Sequence, residues 1–193
     1  MSNNEKDQGP KRSAAVKALW PSPLREGQRA KGQRILLFDV VGEPKATPRP
    51  RAAVRGKGKG ARAHIYTPAV AHEWKHEVRA AAAAAIMLEE FTLLEPGIPV
   101  SVFLAFRFAR PKSHLRTGRH SGKLSPRAPR HHTQKPDKDN LEKAVLDALG
   151  EFDGCPRLAW CDDAQVVDGR TSKRWAQPGE APGVYVALVE LPQ

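Results

Sequence analysis

KPDKDNLEKAVLDAL, residues Lys135 to Leu149, sets three aspartates among lysines in what reads as an amphipathic helix. Pro136 disfavours a helical backbone at Lys135, so the helix is expected to start after the proline, with Asp139 as its N-cap and Glu142 completing a capping box. Leu141, Val145, Ala148 and Leu149 then recur at helical spacing as a buried stripe. On this register Lys143 lies one turn beyond Asp139 and Asp147 one turn beyond Lys143, all along one side, with Asp137 just outside. An N-cap aspartate and a lysine between two acids are ordinary features of a solvated helix. Taken alone, the segment demands no chemistry.

The flanks supply a sheet. PVSVFLAFRFAR (Pro99 to Arg110) places Val100, Val102, Leu104, Phe106 and Phe108 on one face of a strand and Ser101, Phe103, Ala105 and Arg107 on the other. Such alternation makes its aromatics core residues rather than base-stacking groups. After the helix come AQVVDGRTSKRW (Ala164 to Trp175) and GVYVALVEL (Gly183 to Leu191), two strands separated by a Pro/Gly turn, and RILLFDVVG (Arg34 to Gly42) is a further strand upstream. From Pro68 to about Phe91, Val70, Trp74, Val78, Ala81, Ala85 and Leu88 repeat at steps of three and four around a polyalanine centre of high helix propensity. Trp160 and Trp175 read as core anchors. The expected architecture is α+β, a mixed β-sheet packed with helices over residues 34–193, preceded by a disordered basic arm over residues 1–33. A chain of 193 residues suits one such domain and its tail.

Charge narrows the partner. Lys and Arg exceed Asp and Glu by 32 to 21, a formal net charge of +11, and a chain this cationic accumulates on polyanions in a salt-dependent way. Nucleic acid is the expected partner; no basic amphipathic helix with bulky apolar residues points to a membrane surface. No run approaches the ~20 apolar residues of a membrane span, and MSNNEKDQ lacks the apolar stretch of a signal peptide. The expected compartment is the cytoplasm, with Cys155 and Cys161 as reduced bystanders. The cations concentrate in two stretches. EPKATPRPRAAVRGKGKGARAH (Glu43 to His64) reads as a loop carrying Arg49, Arg51, Arg55, Lys57 and Lys59, with no carboxylate between Glu43 and Glu73. Arg110 to Gln134 is turn-like and carries Arg116, Arg119, Lys123, Arg127 and Arg130, with His131 and His132 expected as an exposed pair. With Lys135, these cations are expected to grip backbone phosphates rather than read bases.

A second acidic pair changes the weight of the helix. Asp162 and Asp163 stand in AWCDDAQVV (Ala159 to Val167), where a strand that would pack beside the helix begins. Two ionised carboxylates about 4 Å apart repel by about 4 kcal/mol at an effective dielectric of about 20, so such a cluster persists more easily around a cation. An all-oxygen site favours Mg²⁺, with Mn²⁺ as a substitute; zinc would want His or Cys.

KPDKDNLEKAVLDAL followed by DDAQV resembles the signature of the RusA-type Holliday junction resolvases, the crossover junction endodeoxyribonucleases, in which P-D-x-D-N-L-x-K-A-x-x-D-A-L precedes D-D-x-Q-[IV]. VVGEPKATPRPR and IYTP are similar to the start of that domain, so the resemblance spans roughly Arg34 to Leu191. It implies a RusA-like endonuclease fold, with Asp137, Asp139 and Asp163 as metal-binding carboxylates and Lys143 as an essential lysine. Asp162 and Asp147 match motif positions, and Asp162 is carried as a further metal candidate. GEFDGCPRLAWC (Gly150 to Cys161) is longer than the usual connection, which leaves open whether Asp162 or Asp163 faces the metal. The implied enzyme is a Mg²⁺-dependent homodimer that nicks a four-way DNA junction symmetrically in recombination and repair. Alternatives are a nuclease for other branched DNA, forks or flaps, and a non-catalytic architectural DNA-binding protein.

Overall fold

A computed structural model describes residues 32–56, 61–66 and 68–192. All but the last two residues of the expected arm, together with Lys57 and Lys59, lie outside the described residues. The strands are β1 (Ile35–Val41), β2 (Arg51–Arg55), β3 (Arg62–Tyr66), β4 (Val100–Phe108), β5 (Val166–Trp175) and β6 (Gly183–Glu190), and the helices are α1 (His72–Leu88) and α2 (Lys138–Leu149). Four strands form one sheet in the order β1-β6-β4-β5. β6 runs antiparallel to both β1 and β4, whereas β4 and β5 are parallel. A parallel pair needs a crossover connection, and α2 is that crossover. The fold is therefore α+β with a mixed sheet, as the alternation in β4 and the period of the helices led one to expect.

Alternate residues of the strands build one side of the core: Leu36, Phe38 and Val40 pair with Leu188, Val186 and Val184, which in turn face Val102, Leu104 and Phe106. Against these lie Trp74, Val78, Ala82 and Ala85 of α1 and Leu141, Ala144, Val145, Ala148 and Leu149 of α2. On the other face of β4, Arg107 is buried but satisfied in part, with a nitrogen 3.3 Å from an Asp39 carboxylate oxygen and its guanidinium 3.6 Å from the Tyr185 ring centre. Trp160 and Trp175 are buried as expected. No described helix is long and apolar enough to cross a membrane, and both cysteines are free thiols.

Four local expectations are corrected. The stripe on α1 is rotated: Val70 and Leu88 are 68% and 84% exposed, while Lys75 and Arg79 turn inward beside Trp74 and Val78. Both charged residues find oxygen partners on or just beyond α2, so the face toward α2 is polar and the apolar periodicity misplaces it. The stretch read as a basic loop contains the antiparallel hairpin β2–β3, whose register runs from Arg51 opposite Tyr66 to Arg55 opposite Arg62. Its alanines and arginines carry no apolar alternation, and Gly56, at φ +93°, gives the backbone the left-handed conformation that starts its turn. Helix α2 begins earlier than expected, with Asp137 rather than Asp139 at its N-cap and the Leu141 N–H donating to the Asp137 carbonyl at 3.1 Å. Glu142 makes no capping box there; it accepts from the Thr171 hydroxyl of β5 at 2.8 Å.

The fourth correction concerns His132, which is 5% exposed. Its ring stacks 4.0 Å from Phe108 and lies 4.3 Å from Trp175, and its Nδ1 has no hydrogen-bond partner. Those two aromatics end β4 and β5, so His132 fastens the cationic loop to the sheet. Burial, aided by the Lys173 charge, holds this imidazole below its ordinary pKa. In the unfolded chain the ring takes a proton below about pH 6.5, whereas the folded chain resists it to lower pH. Stability is then complete above that value and falls as acid is added. Melting followed from about pH 7.5 down to about pH 5 should show this decline, and His132→Phe, which keeps the stack, should flatten it. An unchanged slope would show that His132 does not carry it.

Candidate active site

At the N-terminal end of α2, Asp137 and Asp139 are exposed, and neither carboxylate forms a hydrogen bond or ion pair with a described residue. Acidic groups in a first turn sit well with the helix dipole. The chain is led onto the helix from β5: the Lys173 ammonium donates to the Gln134 and Pro136 carbonyls at 2.6 and 2.7 Å. From the other side, the Thr47 N–H donates to the Asn140 carbonyl at 3.1 Å, which pins the basic segment two residues before Arg49 against the first turns of α2.

Along the helix, the Lys143 ammonium donates to Asp147 Oδ1 at 3.0 Å. Asp147 Oδ2 accepts from the Lys75 ammonium at 2.8 Å and from the Thr47 hydroxyl at 3.4 Å. Burial alone would raise the Asp147 pKa, but the hydrogen bonds and charges of the two lysines outweigh it and hold the carboxyl below its ordinary value. One carboxylate thus faces two ammonium groups. Lys75 is nearly buried, whereas the Lys143 side chain is 62% exposed and its amine is open to an anion. Sequence reasoning missed Lys75. The signal was there: Lys75 and Arg79, one turn apart, fall beside Trp74 and Val78 on a face that otherwise looks inward.

The C-terminal end of α2 is clamped by Arg79, whose guanidinium donates to the Ala148, Gly150 and Pro156 carbonyls at 2.7, 2.9 and 2.7 Å. Asp163 lies here. Its Oδ1 accepts from the buried Trp160 indole N–H at 2.9 Å, and a Cβ at Gly150 would stand 3.1 Å from that oxygen. Asp162 is turned to another task, capping the short 3-10 turn Asp163–Gln165 with a 2.8 Å bond from the Ala164 N–H while Gln165 reciprocates. Both carboxylates are exposed and neither pairs with a cation among the described residues; Asp163 is bonded to the buried indole and Asp162 to the backbone of the turn.

The two acidic ends stay apart. Eleven residues separate Asp139 from Gly150, and at about 1.5 Å of rise per residue they are roughly 17 Å apart along the axis. A hard cation such as Mg²⁺ holds its oxygens at about 2.0–2.1 Å, so one ion cannot touch Asp139 and Asp163 of the same chain. Among the described residues no three His, Cys, Asp or Glu side chains gather closely enough to hold a metal. In donor chemistry, unpaired Asp137 and Asp139 fit a hard cation that fills its remaining positions with water and phosphate oxygen; Asp162 and Asp163 are not brought to them.

The flanking cations are exposed. Arg49, Arg51, Arg55, Arg116, Arg119, Lys123, Arg127, Arg130 and Lys135 all reach solvent, and none pairs with a described acid. The second stretch is held in shape by its backbone, the Arg116 N–H donating to the Lys123 carbonyl at 2.8 Å and the Ser125 N–H to the His114 carbonyl at 3.0 Å. Arg110 ties it down through the Pro129 and Ala176 carbonyls at 2.9 Å each.

A helix with exposed, unpaired aspartates at its start crosses from one parallel strand to the next and is bordered by unpaired arginines and lysines. The family model described as Endodeoxyribonuclease RusA matches residues 42–189, and the chain belongs to that family. It is also 34% identical over 154 residues to a protein of Bacillus subtilis (strain 168) described as Uncharacterized protein YqaN, across 80% of this chain and 95% of that relative. No solved structure matches. Membership implies endodeoxyribonuclease activity of the Holliday junction resolvase type, in a family whose nucleases generally use a divalent metal.

Proposed function

We propose that the chain is a structure-specific endodeoxyribonuclease that resolves four-way DNA junctions by paired symmetric nicks, working as a homodimer with Mg²⁺, for which Mn²⁺ substitutes. Its endonuclease domain is residues 34–193, residues 1–33 are an arm outside it, and its place is the cytoplasm. The observation that carries the reading is the pairing of unpartnered acid with unpartnered base: Asp137 and Asp139 at one end of α2, and exposed cations on the two segments that border it. Asp137 and Asp139 would hold the ion, and Asp163 belongs to the same catalytic set. When bound, the ion supplies an activated water and a polarised phosphoryl oxygen. The arginines and lysines position the DNA by its phosphates and offset the repulsion between substrate and active-site acid. The Lys143 ammonium, held by Asp147 yet exposed, neutralises charge that develops on the phosphate.

The test is a nicking assay on four-way, three-way and linear DNA with and without Mg²⁺. Symmetric nicks in the four-way substrate alone, and only with the ion, are expected. Equal cutting of forks or flaps would move the assignment to branched DNA in general, and binding without any cleavage would leave an architectural protein. Binding should also weaken by about 10³–10⁵-fold between about 50 and 200 mM salt if six to ten of these cations each meet a phosphate.

A further inference from the structure

We infer that Lys75 is a positioning residue for cleavage, which neutralises Asp147 from the buried side and so leaves the positive charge of Lys143 free for the substrate phosphate; this rests on the nuclease reading above. Two ammonium groups share the one carboxylate of Asp147, Lys75 at 2.8 Å from Oδ2 and Lys143 at 3.0 Å from Oδ1, and the trio carries one net positive charge. Burial would raise the Asp147 carboxyl, but the two lysines hold it below its ordinary range, so it stays ionised. Exposure decides where the surplus charge can act. The Lys75 side chain is 9% exposed and too buried to meet a substrate, whereas that of Lys143 is 62% exposed. A phosphate approaching Lys143 and Asp147 alone would meet an ammonium with a carboxylate 3.0 Å behind it, and repulsion from the second would offset much of the attraction to the first. Lys75 removes that repulsion.

The connection after α2 builds a cover over Lys75. Phe152 to Cys155 closes as a tight turn, the Cys155 N–H donating to the Phe152 carbonyl at 2.9 Å and the Phe152 N–H to the Cys155 carbonyl at 3.3 Å. Asp153 and Gly154 take φ values of +52° and +71°, the left-handed pair that an Asp-Gly turn supplies. Phe152 is thereby laid against α1, its ring centre 5.0 Å from the Lys75 ammonium and 5.2 Å from the rings of both His72 and His76. His76 in turn lies 3.3 Å from the Asp153 carboxylate. An aromatic ring attracts an ammonium and displaces water from it, and a desolvated ammonium is costly unless it is paired. Lys75 is thus held to Asp147. For stability alone one lysine would satisfy that carboxylate, since a largely exposed pair one helical turn apart, such as Lys143 with Asp147, contributes little. Two lysines, one hidden and one displayed, leave a charge to spare at the surface.

A second mutation that rescues the first provides the test. Lys75→Met leaves Lys143 facing Asp147 alone, so single-turnover cleavage of a four-way junction should slow roughly tenfold or more while DNA binding, titrated separately, is unchanged. Lys75→Met combined with Asp147→Asn removes both inner charges, restores one net positive charge, and should recover most of the lost rate. Each variant is assayed at a temperature where its own melting curve shows it folded. If Lys75 only supported the fold, the second substitution would deepen the defect, and a double variant no faster than Lys75→Met overturns the inference. Proton–nitrogen correlation spectra of the lysine ammonium groups give a readout without DNA or metal, with the Lys143 signal identified by its loss in Lys143→Arg. Lys75→Met should draw the Lys143 ammonium closer to Asp147 and slow exchange of its protons with water severalfold. Unchanged exchange overturns the inference whether or not the chain cuts DNA. An unaltered chain that cuts no branched DNA, with exchange slowed in Lys75→Met as expected, would count against the nuclease reading and uphold the charge arrangement.

Discussion

Lys143→Ala is expected to bind four-way DNA about as tightly as the unaltered chain and to cut it at least a hundredfold more slowly, and Asp139→Asn to behave alike. The lysine contributes one positive charge among many to binding, since the exposed arginines and lysines of the two basic segments outnumber it. Its proposed value lies in where that charge is held. Asp147 fixes the ammonium from one side while Lys75 and Thr47 fix Asp147 from the other, so the charge meets the phosphate without first being ordered. Removing one preorganised donor from a transition state commonly costs about 10²–10³ in rate. Lys143→Gln keeps a donor without the charge and should fail as well. Asp139→Asn keeps the shape and one lone-pair oxygen but loses the negative charge that a hard cation requires. Single-turnover cleavage, with binding measured separately by titration, distinguishes the two effects. Cleavage at the unaltered rate by either variant would remove that residue from the catalytic set.

Arg79→Met should give the largest loss of stability, about 3 kcal/mol or more. The guanidinium is buried and donates to three carbonyls at the end of α2 and in the connection beyond it. Methionine fills much of the volume but donates nothing. A charged donor bond contributes about 1.5–3 kcal/mol, and a buried acceptor left bare costs about 1–3 kcal/mol; water reaching some of the freed carbonyls brings the total below the sum. For a chain of this size such a loss lowers the melting temperature by roughly 6–12 °C. Urea unfolding of the variant against the unaltered chain measures it, and a loss below about 1 kcal/mol would mean that the clamp is ornamental. Because the Gly150 carbonyl is one of the three acceptors and Asp163 stands beside that glycine, the variant should also lose more cleavage than its remaining folded fraction accounts for.

Much of this was legible before any coordinates. Strict alternation located β4, helical spacing located α2 and most of its buried stripe, and two short acidic motifs pointed to the family. What escaped were features in which polar groups satisfy one another. Lys75 and Arg79 look like surface residues to any apolar count, yet each is buried against oxygens supplied by or just beyond α2. The β2–β3 ladder is held by main-chain bonds, to which its alanines and arginines give no apolar signature. His132 was hidden for a different reason: its burial depends on two aromatics, Phe108 and Trp175, contributed by strands far apart in sequence. The separation of Asp139 from Asp163 was hidden by the motif itself. Adjacency in a signature says nothing of which end of a helix each residue will occupy, and only the parallel pairing of β4 with β5 sets the acids at opposite poles.

The outermost rung of the β2–β3 ladder places Arg55 directly across from Arg62. Like charges in such a position push a ladder apart, so in isolation the tip of the hairpin works against its own zipper. A strand of phosphates laid along it reverses the sign of that force. On the proposed nuclease reading, phosphates of the substrate would be the counter-charge for this rung, and bound DNA would steady a ladder that is already paired.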